Sequence, residues 1–258
     1  MVEKIIFITL FGLVWGSFLN VVIHRLPRGE SLVHPPSTCP QCGKRIRSYD
    51  NIPVVSFIIL GGRCRFCRAR IPATYPLIEV LTPACFLILF FTFGLSVHFL
   101  ASCLFTMFLI GLAFIDFFHQ ILPDVLTLPG LALALIYAFI RKDMSILQAL
   151  LGAGVGAGVL LLVYGAYYLL RKKEGLGLGD VVMMLFIGAY LGWLSSLFTI
   201  ILASFLGTMA AVFFLLFKKK DLQYALPFGT FLAPSAFIAL VWGDRIITAY
   251  LARFDLAL

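Results

Sequence analysis

Residues 99–116 read FLASCLFTMFLIGLAFID, a run with no Asp, Glu, Lys or Arg until it stops on Asp116. A bilayer helix needs about 20 mainly apolar residues, so this stretch predicts a membrane span with a carboxylate at its edge. Further apolar runs extend roughly over Ile5–Ile23, Leu77–Leu95, Ile121–Ile140, Ile146–Leu170, Val181–Trp193, Leu197–Phe217 and Leu226–Tyr250. With Phe99–Ile115 they make about eight candidate transmembrane helices, and the expected fold class is an all-α polytopic membrane protein.

Composition agrees. The chain is 62% hydrophobic and 12% charged, against about 25% charged in a soluble domain. A net charge of +8 invites a nucleic-acid reading. Lys and Arg, however, stand in short clusters between apolar runs and not along one soluble face, so no nucleic-acid partner is expected. The first run has Lys4 before it and Arg25 and Arg28 directly after it. A cleavable signal peptide carries its charge in front, so residues 1–23 are expected to stay as a first transmembrane helix.

Placing the N-terminus outside puts the 24–76 loop, Arg171–Lys173 and Lys218–Lys220 on the cytoplasmic side. Those three segments hold fifteen of the twenty basic residues, the asymmetry that the positive-inside rule describes. Residues 24–76 are the one sizeable soluble piece, and residues 77–258 form the remaining transmembrane bundle. No internal repeat is visible. The glycine-rich run from Gly152 to Gly158 has no strand before it and makes a poor nucleotide loop. Glycines four apart, Gly152 and Gly156, instead allow close helix packing.

The soluble loop carries Cys39-Pro-Gln-Cys42 and Cys64-Arg-Phe-Cys67, two C-x-x-C pairs separated by 21 residues. This is close to zinc-ribbon spacing, and a module of some fifty residues usually needs such a staple. Two disulfides are the competing reading, but cytoplasmic thiols stay reduced. Four thiolates close a tetrahedral shell and leave no place for water, so the expected Zn2+ is structural. Cys85 and Cys103, inside apolar runs, are read as small hydrophobes.

Four of the twelve acidic residues, Glu79, Asp116, Asp124 and Asp180, lie in or at the edges of apolar runs. Carboxylates at membrane depth are costly and point to function. Two of them brought together share a proton, so that one serves as base to a water and the other as acid. The plain alternatives are an N-cap role for Asp180 and a hydrogen-bonded buried group for Asp116, with His119 as its partner. Asp124 reads as a cap or a helper, and Glu79 as a carboxylate at a helix N-terminus or a substrate contact.

Five stretches together resemble the type IV prepilin peptidase family, the prepilin leader peptidases and N-methyltransferases. They are Gly16-Ser17-Phe18-Leu19-Asn20-Val21-Val22, the two C-x-x-C pairs around Tyr49-Asp50-Asn51-Ile52-Pro53, Tyr75-Pro76-Leu77-Ile78-Glu79, Gly177-Leu178-Gly179-Asp180 and Pro227-Phe228-Gly229. The resemblance implies Asp116 and Asp180 as the catalytic aspartates, supported by Gly177, Gly179, Asp124, Pro227 and Gly229. It implies cleavage of the basic leader from type IV prepilins or type II secretion pseudopilins at a Gly–Phe-like bond. Methylation of the new amine from S-adenosylmethionine would follow.

The same resemblance implies a substrate with a hydrophobic N-terminal helix, and a multi-pass protein of the bacterial inner membrane with a periplasmic N-terminus and a cytoplasm-facing active site. The methyl donor is expected around the 24–76 loop, with Asp50 and Glu79 as contact candidates, while 77–258 is the peptidase bundle. One departure stands out: Val182 occupies a position where the family usually has Lys. Two other classes remain open on the residues alone. One is a proton-coupled transporter relaying through Asp116, Asp124 and Asp180, and the other is a non-catalytic scaffold whose acids only cap helices.

Overall fold

The structure, a computed structural model, describes residues 1–172, 176–218 and 227–253. Lys173, Lys219 and Lys220 of the basic clusters, and Leu226 at the expected start of the last span, lie outside the described residues. The described elements are α1 (Val2–Arg25), α2 (Val55–Ile59), α3 (Thr74–Phe93), α4 (Val97–His119), α5 (Asp124–Ile140), α6 (Ile146–Arg171), α7 (Leu178–Leu191), α8 (Trp193–Lys218) and α9 (Gly229–Ala252). Among the described residues there is no strand, only the isolated antiparallel bridges Thr38–Arg45 and Arg63–Arg70. Six helices, α1, α3, α4, α6, α8 and α9, are long and apolar enough to cross a membrane. The other two expected spans appear as the shorter apolar helices α5 and α7, of 17 and 14 residues.

Large side chains are exposed along these helices, Leu170 at 82%, Phe139 at 75% and Leu162 at 75% among them. Contiguous apolar surface of that extent is stable against lipid and not against water. The chain divides into two compact units, Met1–Cys103 and Leu104–Leu258, with the division inside α4.

In the first unit α1 packs along α3. Small residues set the spacing: a Cβ on Gly12 would stand 2.5 Å from the Pro83 Cα, and one on Gly16 would stand 2.8 Å from the Glu79 Cα. Near the same end, the Asn20 side-chain amide donates to the Tyr75 carbonyl at 3.1 Å, which satisfies a polar group that would be expensive to leave bare in lipid.

In the second unit α7 is the central helix, contacting α5, α6, α8 and α9. Met183, Met184 and every residue from Phe186 to Tyr190 are buried, with Leu185 partly so. A helix apolar all round is a core helix, and here the core is other protein. The expected sixth span ran to Trp193, but α7 stops at Leu191. Gly192 takes φ +82° and donates its N–H to the Gly188 carbonyl, and α8 starts at Trp193. The left-handed conformation is open to glycine at no steric cost and breaks the run.

The glycine run divides by face. A Cβ on Gly152 would lie 2.2 Å from the Gly188 oxygen, and one on Gly156 would lie 2.9 Å from the Met184 methyl, whereas Gly154 and Gly158 face open space. Of the glycines in this run, Gly152 and Gly156 therefore carry the expected close packing, Gly152 against the backbone of Gly188 and Gly192 and Gly156 against the Met184 side chain. Gly152→Ala is expected to force α6 from α7 and lower stability by about 1–3 kcal/mol. Gly154→Ala should be neutral or slightly stabilising. Melting temperatures in one detergent check the contrast.

Candidate active site and cysteine cluster

Three helix ends in the second unit place the two aspartates. Asp116 sits in the last turn of α4, Asp180 in the first turn of α7, and α9 begins at Gly229. Asp116 and Asp180 are buried, 5% and 6% exposed. The Asp116 Oδ2 accepts the Thr230 backbone N–H at 2.8 Å and the Thr230 hydroxyl at 3.3 Å, while that hydroxyl also reaches the Ala113 carbonyl at 3.2 Å. His119, the partner that the structural alternative offered Asp116, is exposed at the end of α4 and is not among its hydrogen-bond partners. The Asp180 Oδ2 accepts the Gly177 N–H at 3.2 Å. Asp180 is thus third in its helix, and Gly177 holds the N-cap position that the capping alternative gave to Asp180.

The two carboxylates are close enough to act on one another, and Gly229, the first residue of α9, stands beside them. A helix N-terminus is a natural seat for negative charge, because its first N–H groups have no partner within the helix. The Asp180 Oδ1 is buried without a hydrogen-bond partner. Such an oxygen is costly to bury, and a catalytic role is one of the reasons a protein keeps one.

Packing around the pair leaves no slack. A Cβ on Gly229 would lie 2.9 Å from the Asp116 Oδ2 and about as close to both Leu122 methyls, and one on Gly179 would lie 2.9 Å from the Leu122 Cβ. Gly229→Ala is therefore expected to displace the Asp116 carboxylate while the bundle stays folded. A misplacement near 1 Å costs on the order of 100-fold in rate, so kcat should fall about that much with little change in melting temperature. Leu122 and Thr230 were missed by sequence reasoning. Their only signal was adjacency, Leu122 two residues before Asp124 and Thr230 one after Gly229.

The remaining acids differ from expectation. Asp124 is exposed in the first turn of α5 and makes no capping hydrogen bond, since Pro123 occupies the N-cap position. Its carboxylate is left only the favourable end of the helix dipole. Glu79 is six residues into α3, beyond the first turn, so it does not cap that helix. Its Oε2 accepts the Val54 N–H at 2.7 Å, and Ser17 is a further partner. Val54 has φ +62°, a conformation that a β-branched residue holds only when its surroundings impose it. Glu79 thus fastens the cysteine-bearing loop to α3. Asp50 takes a bidentate grip from Arg65, with Nε–Oδ2 at 2.8 Å and Nη2–Oδ1 at 2.6 Å. That guanidinium holds the Asp50 carboxyl below the usual range.

The four cysteines converge. The Sγ atoms of Cys39, Cys42, Cys64 and Cys67 all lie within 4.8 Å of one another, and none is in a disulfide. The Cys39–Cys67 sulfur separation is 3.8 Å, and Zn–S bonds of about 2.3 Å in a tetrahedron require nearly that. The donor set and its geometry therefore fit a four-coordinate metal.

The two C-x-x-C segments prove to be one turn used twice, a repeat hidden from sequence inspection. The Cys39 N–H bonds the Lys44 carbonyl as Cys64 bonds Ala69, Gly43 bonds Cys39 as Arg68 bonds Cys64, and Ile46 bonds Ser37 as Ile71 bonds Gly62. Beside the first turn an open cleft of about 660 Å³ is lined by residues including Ser37, Arg45, Arg47, Tyr49 and Asn51.

Comparison with known proteins places these features. A family model described as the bacterial peptidase A24 N-terminal domain matches residues 10–93, and one described as the type IV leader peptidase family matches residues 103–212. The prepilin leader peptidase/N-methyltransferase of Pseudomonas aeruginosa is 38% identical over 265 residues, covering 94% of this chain and 91% of that protein. The chain belongs to the type IV leader peptidase family. The Pseudomonas putida relative of the same description is 37% identical over 260 residues, covering 92% of this chain and 90% of its own length. That of Dickeya chrysanthemi is 36% identical over 255 residues, 90% of each chain. No solved structure matches this family member.

Proposed function

We propose that the protein is a membrane aspartyl endopeptidase and N-methyltransferase. It cleaves the basic leader from type IV prepilins or pseudopilins and methylates the amine that cleavage exposes. One observation carries the peptidase assignment: two buried carboxylates from separate helices come together beside Gly229, at the start of a third. Of the pair, the ionised member takes a proton from a water whose oxygen adds to the scissile carbonyl carbon. The protonated member gives its proton to the carbonyl oxygen. The tetrahedral adduct then collapses: the carboxyl that took the water's proton gives it to the departing amine as the C–N bond breaks, and the other carboxylate recovers a proton from the adduct's hydroxyl. A proton relay would string its acids along a path, whereas Asp124 stands exposed and the other two are gathered together. Family membership likewise favours the peptidase over a transporter or scaffold.

Within this reading α5 and α7 cross the bilayer with the six longer helices, giving eight spans, with α7 shielded from lipid by its neighbours. The N-terminus lies outside and Asp116 and Asp180 face the cytoplasm of an inner membrane, an orientation supported by the basic clusters. Residues 24–76 are a zinc-ribbon-like module tied to methylation and residues 77–258 are the peptidase bundle. Cys39, Cys42, Cys64 and Cys67 hold one structural Zn2+. S-adenosylmethionine, when bound, supplies the methyl group from its sulfonium. The cleft beside the first cysteine turn offers Arg45 and Arg47 for its carboxylate and Tyr49 for its base, and its volume suits a ligand of that size. Asp50 and Glu79 act by holding the module's shape, since Arg65 and the Val54 N–H already engage them.

The test is a purified prepilin incubated with the purified protein, with and without S-adenosylmethionine, and weighed by mass spectrometry. Leader loss in both reactions, and one added methyl group only with the donor, is the expected result. An intact prepilin in both would refute the reading.

A further inference from the structure

The short helix α2 is built inside out for a soluble module. Ser56 is buried, accepting the Ile52 N–H at 3.0 Å and donating to the Tyr49 carbonyl at 2.9 Å. Those two bonds fix the roll of the helix, and Ile58 and Ile59 are turned outward, 69% and 74% exposed, beside exposed Val55 and Ile52. Water should favour the reverse arrangement, with the hydroxyl out and the isoleucines in.

The height of α2 follows from its anchor. Val54, the residue before α2, is tied to Glu79, five residues beyond the start of α3. At 1.5 Å per residue that is about 7.5 Å along the helix. The twenty residues of α3 reach about 30 Å, just the thickness of the hydrocarbon core. Interfacial helices bury their apolar face about 5–10 Å into the headgroup and acyl boundary, the level at which this anchor sets α2. The chain leaves α2 toward exposed Arg63 and Arg70, neighbours across an antiparallel bridge. Basic residues beside an interfacial apolar patch suit acidic lipid headgroups.

From this inverted polarity, depth and charge we infer that α2 is a membrane-surface anchor. It seats Ile58 and Ile59 in the acidic-phospholipid leaflet next to α3 and holds the cysteine module against the bilayer. The test uses the full chain in vesicles of phosphatidylcholine and phosphatidylglycerol whose acyl chains are brominated near the carboxyl end. Ile58→Trp and Ile59→Trp are made singly, and their emission is read as the difference from the unsubstituted protein, so the native tryptophans stay. Gln41→Trp, at an exposed position of the first cysteine turn, is the control.

The two α2 variants should be quenched several-fold more than the control, and more strongly with phosphatidylglycerol than without it. Quenching equal to the control would overturn the anchor, and indifference to phosphatidylglycerol would overturn its acidic-lipid preference. Shielding that appears only when prepilin is added, or only as protein density rises, would overturn the lipid assignment in favour of a substrate or a second copy. None of these readouts depends on leader cleavage, so the inference stands or falls apart from the peptidase reading.

Discussion

Asp116→Asn and Asp180→Asn are each expected to lower leader cleavage by roughly a thousandfold or more, the scale seen when one member of a cooperating catalytic set is removed. Asparagine keeps the shape of each side chain but cannot take a proton from water or return one to the substrate. The fold should survive. An amide oxygen at Asp116 still accepts the Thr230 N–H, and one at Asp180 still accepts the Gly177 N–H. Melting temperatures should therefore stay close to the unsubstituted value while prepilin processing disappears. Asp124→Asn is the contrast: Asp124 is exposed and makes no capping bond, so it should keep most activity and change stability by no more than about 0.5 kcal/mol. A well-folded Asp116→Asn that cleaves normally beside an inactive Asp124→Asn would reassign the first acid.

The second large effect concerns the cysteines. Cys39→Ser or Cys64→Ser should abolish stoichiometric zinc, because structural zinc binding in small modules is worth about 10–16 kcal/mol and is in effect their folding energy. Apart from its two turns the loop is held by scattered polar and cation–π contacts, among them the isolated bridges, the Asp50–Arg65 pair, the Ser56 bonds, Lys44 and Arg47 over Phe66 and the Glu79 tie. Limited proteolysis should therefore cut the variants between Leu26 and Ala73 at protease levels that leave the parent intact, and methyl transfer should fall below detection. Among the described residues the hydrogen bonds to Asp116 and Asp180 come from Thr230 and Gly177, outside the cysteine loop, so cleavage should suffer less than methylation. Metal analysis and the methylation assay check both. A variant that binds no zinc yet resists protease and methylates normally would show that the metal does not carry the module.

How much was legible in the chain depends on the range over which each feature is determined. Each apolar run became a helix with ends within a few residues of expectation, because lipid solubility is a property of composition along a single segment. The C-x-x-C pairs converged for a similar reason, since their spacing alone is that of metal ligands. The stop at Gly192 was harder, because nothing in a continuous apolar run shows that its glycine backs onto Gly152 and takes a left-handed turn. Asp116 and Asp180 were visible as acids at membrane depth and Gly229 through the family resemblance, but the packing that brings the start of α9 to them was not. The Gly229 N–H and Thr230 lie more than a hundred residues from Asp116 and reach it only through tertiary packing. Glu79 shows the same limit, since its partner is a backbone N–H of Val54, a group every non-proline residue possesses.

The central claim is that Asp116 and Asp180 work as one proton-sharing pair, and a double-mutant comparison tests it most directly. Cleavage rates of a purified prepilin are measured for Asp116→Asn, Asp180→Asn and the double variant in the same detergent, each checked for its melting temperature. If the carboxylates act as a unit, the second substitution has nothing left to remove, and all three variants fall to the same residual rate. Losses that multiply in the double variant, or a folded single variant that retains normal cleavage, would contradict the account.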